Sequence, residues 1–280
     1  MVKKRILYVT DLDGTLLRSN QTVSSFTADT IRKLTENGML FSYATARSYT
    51  TARKVTEGLP EKLPVIVFNG SFIVETGTGK RLLSNIFAKQ EITEILDFLI
   101  SHKIYPIVHA FFGESEKFSY VREKENDGIN RFLQTHKDDI RKHSVSCLKQ
   151  LYDGEIFHIT CIDAEEKLRP VYNYFKETYP SVLYRDMYSK DTWLEIHPKG
   201  ATKANAVLTL KKMLSCDELI CFGDGKNDIS MFQAADACYA VANAEESLKA
   251  IATDIIGSNE EDGVAKWLSK YAKLFSEKHS

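Results

Sequence analysis

No stretch of this 280-residue chain approaches the roughly 20 consecutive apolar residues that a membrane-spanning helix needs. Neither sign of charge dominates. With 37 Lys and Arg against 38 Asp and Glu, there is no net field to draw the chain to nucleic acid or to anionic lipid, and any cation that a bound anion needs must be local. Five cysteines, at 147, 161, 216, 221 and 238, make no CxxC pair. Cys161, Cys221 and Cys238 fall in apolar runs, the pattern of reduced, buried thiols in a cytoplasmic protein. The basic start, Met1-Val2-Lys3-Lys4-Arg5, is followed by an apolar segment too short and too soon acidic for a secretion signal. No G-x-G-x-x-G follows the first apolar run, which removes a dinucleotide-binding module, and no repeat or low-complexity tract interrupts the chain. Its 43% hydrophobic content is enough for a sizeable core, and the length suits two domains.

What is present begins at Asp11-Leu12-Asp13-Gly14-Thr15, directly after the apolar run Ile6-Leu7-Tyr8-Val9. Such a run reads as a strand buried on both faces, and ligands of open α/β sheets bind just beyond the carboxyl ends of strands. Gly14 allows a tight turn and close approach to a ligand. Taken alone, Asp-Leu-Asp-Gly-Thr is also an ordinary turn composition. A second junction of the same kind weighs against that: Leu219-Ile220-Cys221-Phe222 runs into Gly223-Asp224-Gly225-Lys226-Asn227-Asp228. Two acid-tipped strands with no His or Cys beside them suit one shared hard cation, and Mg²⁺ held by few carboxylates plus phosphate and water fits best.

Periodicity predicts a parallel βαβαβ unit: strand 5–10, helix 25–36 ending at Gly38, strand 39–44, helix 48–57 and strand 64–68, then a turn at Asn69-Gly70 into 71–75. The pattern then changes to helix 90–102, strands 104–111 and 116–122, helix 126–136, strand 154–163, helix 165–178, and strands 181–187 and 192–197. Parallel alternation resumes with a helix from Thr202 to Met213 and strands at 219–222, 237–241 and 254–256. The expected division is a core of 1–83 and 191–280 with an inserted α+β domain over 84–190.

At this point the chain resembles the haloacid dehalogenase superfamily of phosphohydrolases, in its Cof-type, type IIB branch. The motifs are Asp11 to Thr15, then Thr45 in Phe41-Ser42-Tyr43-Ala44-Thr45-Ala46-Arg47, then Lys203, and last Gly223-Asp224 with Asn227-Asp228, closed by Asn259-Glu260-Glu261-Asp262-Gly263. The resemblance implies an α/β fold, a Rossmann-like parallel-sheet core with an inserted α+β cap. It also implies Mg²⁺-dependent hydrolysis of small phosphomonoesters, sugar phosphates above all, through an aspartyl-phosphate. In that chemistry Asp11 attacks phosphorus, and Asp13 serves as general acid and base with a carboxyl pKa raised by its neighbours. The Asp13 carbonyl joins Asp11 and Asp224 around the metal, with Asp228 anchoring that shell. Gly14, Thr45, Ala46, Lys203 and Asn227 are the expected phosphate contacts. Ala46 and Ala242 stand where the family usually has Gly, so either Ala46 takes an ordinary φ or its loop is re-shaped.

A Lys in the first turn of a helix opposes the helix dipole, so Lys203 is mildly unfavourable there unless an anion sits beside it. Arg47 reads equally as a phosphate or sugar ligand and as a partner for a nearby acid. In the inserted domain His109, Tyr120, Arg122, His158 and Trp193 are candidates for substrate contact or for core. His197, before Pro198, reads as a hinge residue, because no second His or Cys sits at metal-binding spacing. A phosphomutase and a non-catalytic phosphosugar sensor remain the alternatives, and the oligomeric state is open.

Overall fold

A computed structural model of the protein describes residues 4–186, 189 and 191–277, with side chains described as far as Ala272. The basic start at Met1–Lys3 and the last residue of the strand expected over 181–187 therefore lie outside the described residues. In chain order the elements are β1 (Ile6–Thr10), α1 (Ser25–Glu36), β2 (Leu40–Tyr43), α2 (Tyr49–Val55), β3 (Val65–Val67), β4 (Phe72–Val74) and β5 (Arg81–Ser84). Next come α3 (Lys89–Ser101), β6 (Ile107–Phe112), β7 (Ser115–Val121), α4 (Asp127–Thr135), β8 (Lys142–Val145), β9 (Glu155–Asp163), α5 (Glu165–Phe175), β10 (Ser181–Arg185) and β11 (Thr192–Ile196). The chain closes with α6 (Lys203–Met213), β12 (Glu218–Gly223), α7 (Ile229–Ala234), β13 (Ala237–Val241), α8 (Glu246–Lys249), β14 (Asp254–Ile256) and α9 (Gly263–Glu277).

Two compact units result, one of residues 1–84 and 200–280 and the other of 85–199. In the first, a parallel sheet of order β14-β13-β12-β1-β2 holds β12 at its centre with β1 beside it. The reading of β1 as buried on both faces holds, since every residue from Ile6 to Thr10 is buried. From β1 the chain moves to β2 on one side and returns as β12 on the other, so the switch point of the sheet lies between β1 and β12. The carboxyl ends of these two strands carry Asp11 and Asp224, the position where a ligand crevice opens in such sheets. Helix starts follow their expected caps: Ser24 Oγ accepts from the Thr27 N–H at 3.0 Å and Ser48 Oγ from the Thr51 N–H at 3.2 Å.

The strand expected over 64–68 does not extend the parallel sheet as a full member. β3 meets β2's continuation through one parallel bridge, Ala44 to Ile66, and pairs instead antiparallel with β4 in a small sheet β3-β4-β5. Three residues of ladder are too few to show as a separate period in the sequence.

The second unit is a six-stranded sheet of order β10-β11-β9-β6-β7-β8, with α3 and α5 supplying the core of one face. The boundaries read from the sequence, 83/84 and 190/191, differ from those observed, most at the second. β11 pairs antiparallel with both β9 and β10, and Leu194 and Ile196 are fully buried in this unit's core. Alternation identifies β11 as a half-buried strand, but nothing local says which sheet it joins. No helix among the described residues is long and apolar enough to cross a membrane.

Candidate active site

β1 ends at Thr10, whose register partner is Phe222 of β12, and the Asp11 N–H continues the ladder to the Phe222 carbonyl at 2.9 Å. Asp11 is therefore fixed by the sheet itself and is only 4% exposed. The chain then turns sharply: Gly14 takes φ +75°, and a Cβ there would lie 2.2 Å from Asp224 Oδ2. Only glycine meets both requirements, the left-handed backbone and the close approach of a carboxylate. Asn243 Nδ2 donates to the Gly14 carbonyl at 2.8 Å, and its own Oδ1 accepts from the Asn259 N–H at 3.0 Å, which ties the turn to the start of the segment before α9.

Lys203 is the first residue of α6 and is 2% exposed. Its Nζ donates to Asp11 Oδ1 and to Asp228 Oδ1, both at 2.6 Å. The helix-dipole penalty, about 0.3–1 kcal/mol, is small beside two buried charge-assisted hydrogen bonds. Gly70 makes this placement possible, since a Cβ on it would lie 2.2 Å from the Thr202 carbonyl. Nothing in the sequence marks Gly70 beyond a turn. Asp228, fully buried, uses its other oxygen to accept from the N–H groups of Asp224 and Gly225 at 3.0 and 3.1 Å. Asp224 Oδ1 accepts from Thr15 Oγ1 at 3.0 Å.

Carboxylate oxygens of Asp11, Asp224 and Asp228 all lie within 4.8 Å of one another. Burial pushes the Asp11 carboxyl well above the usual range, and the charges of Asp228 and Asp224 add to this against the pull of Lys203. Burial and Asp228 raise Asp224 to about 6. Burial opposes the Lys203 charge, but Asp11 and Asp228 outweigh it and hold the ammonium firmly protonated. Three carboxylates against one ammonium leave two negative charges in excess when all are ionised, and every donor atom in the group is an oxygen. That set suits one hard divalent cation, so the residues fit Mg²⁺.

The remaining expected site residues are placed as follows. Thr45, fully buried, follows β2 beside β1 and accepts through Oγ1 from the Arg47 N–H at 3.1 Å. Ala46 is exposed and keeps an ordinary φ, which settles the alternative in favour of an unaltered backbone. Asp13 is half exposed and is gripped by Arg47, with Nε 2.7 Å from Oδ2 and Nη2 2.5 Å from Oδ1. Arg47 thus takes the second of its two readings, as partner of an acid. The partner nearest the Asp13 carboxylate is this guanidinium and not another carboxylate. Asn227 is exposed and donates from Nδ2 to Asn69 Oδ1 at 3.3 Å. Tyr120 is buried in the smaller core cluster of the second unit, Trp193 packs against that cluster and Arg122 is exposed.

Asp11, Asp224 and Asp228 gather at the switch point of a parallel sheet, two of them bridged by the buried Lys203, where α/β proteins of this kind bind their ligands. Residues 8–268 match the family model of haloacid dehalogenase-like hydrolases, and the chain belongs to that family. A relative in Bacillus subtilis, 5-amino-6-(5-phospho-D-ribitylamino)uracil phosphatase YitU, is 25% identical over 98% of this chain and 100% of its own length. A second from the same organism, YwtE, bears the same description and is 26% identical over 93% of this chain and 96% of its own. Among solved structures, TM0651 of Thermotoga maritima has a TM-score of 0.78 at 22% identity, covering 95% of this chain and 97% of that one, a likeness of fold.

Proposed function

We propose that the protein is a Mg²⁺-dependent phosphatase of small phosphomonoesters, sugar phosphates in particular, that works through an aspartyl-phosphate. The observation that carries this reading is the buried Lys203 bridge between Asp11 and Asp228, a costly arrangement that serves no packing purpose and aims one carboxylate out of the end of β1. Lys203 holds Asp11 Oδ1, so Oδ2 is the oxygen left for attack on phosphorus. As the Asp11–phosphorus bond forms, the ester P–O bond breaks and the leaving alkoxide takes a proton from Asp13. Asp13 then removes a proton from water, which attacks the same phosphorus and releases phosphate and free Asp11. Arg47 holds the Asp13 carboxylate by both oxygens, and one of these leaves the guanidinium when Asp13 carries the proton. Thr45 and the Lys203 ammonium stand ready for the phosphoryl oxygens. Bound Mg²⁺, held by Asp11, Asp224 and the Asp13 carbonyl with Asp228 behind them, would neutralise phosphoryl charge. The two Bacillus relatives named for a phosphoribityl compound support a substrate of the sugar-phosphate kind.

Chelator should abolish phosphate release from a panel of phosphomonoesters, and Mg²⁺ should restore it. Ca²⁺ should restore it poorly, since its larger shell recruits both oxygens of a carboxylate and spoils in-line attack. Mg²⁺ at about 100 times its Kd should also raise folding stability by about 2.7 kcal/mol, read as a higher Tm. Full turnover in chelator, or equal turnover with Ca²⁺, contradicts the reading.

A further inference from the structure

We propose that the second unit carries a binding site for a borderline divalent cation of the zinc class, with His158, Glu195 and His197 as its protein ligands. The site is independent of the Asp11 cluster. It arises from strand pairing: β9 and β11 run antiparallel with Thr160 opposite Glu195 and Ile159 opposite Ile196, so the next step sets His158 opposite His197. Side chains two apart share a face, which puts Glu195 and His197 on the same side as His158 and Thr160. This is the face opposite Ile159 and Cys161, which pack into the helix-covered core.

Ligand atoms from the three side chains lie within 4.8 Å of one another. Glu195 Oε2 is 3.6 Å from His197 Nε2 and 3.9 Å from His158 Nε2. These separations are too long for hydrogen bonds, and close to the spacing of about 3.4 Å between ligands of a tetrahedral ion bound at 2.0–2.1 Å. The two imidazoles stack face to face, centroids 4.5 Å apart and planes 11° apart, so one ring turns about its Cβ–Cγ bond when both direct a lone pair at one ion. His197 is 4% exposed, yet among the described residues neither of its ring nitrogens has a hydrogen-bond partner, and His158 Nδ1 has none either. Buried polar atoms left in this state normally have a missing partner.

The electrostatics suit a metal. Burial, with His197 beside it, lowers His158 to about 3, so at neutral pH its ring offers a lone pair. Tyr184 Oη donates to Glu195 Oε1 at 3.1 Å, a partner of the kind that orients a metal ligand from behind, and Thr160 Oγ1, 3.3 Å from His158 Nε2, yields that nitrogen when an ion binds. Two imidazoles and one carboxylate favour Zn²⁺ over Mg²⁺ or Ca²⁺, and three protein ligands leave a fourth position for water or an anion.

The test is zinc titration by calorimetry on the full chain, stripped with chelator and then held in excess Mg²⁺. The expected result is one equivalent of Zn²⁺ bound in the presence of Mg²⁺, and visible absorption bands of a tetrahedral nitrogen–oxygen site when Co²⁺ replaces it. Glu195→Gln, which keeps shape and the Tyr184 hydrogen bond, should weaken Zn²⁺ binding at least about 10-fold, and His197→Asn likewise. No zinc uptake in excess Mg²⁺, uptake unchanged by Glu195→Gln, or uptake lost with Asp224→Asn instead, would each overturn the proposal.

Discussion

Asp11→Asn is expected to lose at least about 10³-fold in turnover, about 4 kcal/mol of transition-state stabilisation, while unfolding near the wild-type midpoint. The amide has the shape of the carboxylate and keeps an oxygen for the Lys203 Nζ that now sits 2.6 Å from Asp11 Oδ1. Packing at the end of β1 is therefore preserved. What is lost is the nucleophile, and neither Asp224 nor Asp228 can replace it. Asp224 is engaged by Thr15, and Asp228 is fully buried with both oxygens in hydrogen bonds. Steady-state phosphate release with a matched thermal melt checks both halves of the expectation, and near-normal release sinks the covalent route.

Lys203→Met is expected to be the most damaging single change to stability. The Met side chain fills a similar volume but leaves Asp11 and Asp228, both buried, with no counter-charge. Breaking a buried ion pair from one side costs about 3–5 kcal/mol. The sign of the pH dependence follows. Without the ammonium the Asp11 carboxyl has a folded pKa raised further above its unfolded value, so stability is retained at low pH and lost as pH rises through the folded value. Urea unfolding should show the variant's deficit narrowing between pH 8 and pH 5. A deficit that is small, or constant across that range, would mean that Lys203 is not the charge holding the two acids together.

The polar half of the first unit was legible because its signals are local. An apolar run that ends in acids is visible in a few residues, and β1 with Asp11 and β12 with Asp224 and Asp228 appear where those runs end. Periodicity places Lys203 in the first turn of its helix, and the structure adds the Thr202 cap, whose side chain accepts from the Asn205 N–H. What the chain conceals is pairing between distant segments. Nothing near Thr192 shows that β11 belongs between β9 and β10, and so nothing could show that His197 meets His158 across that ladder. Spacing along the chain shows no His or Cys near His197, whereas register sets His158 beside it. The Arg47 grip on Asp13 and the contact of Gly70 with Thr202 were hidden in the same way.

The central claim is that phosphoryl is carried by Asp11 itself, and acid-quenched single turnover tests it most directly. The protein, mixed with excess Mg²⁺ and acetyl phosphate and quenched within milliseconds, is treated with borohydride, which reduces an acyl phosphate to an alcohol and leaves a free carboxylate alone. Peptide mapping should find homoserine at position 11 in a fraction of the chains and only where Mg²⁺ was present. Unmodified Asp11 throughout, or reduction at Asp13 or Asp224 instead, would contradict the account.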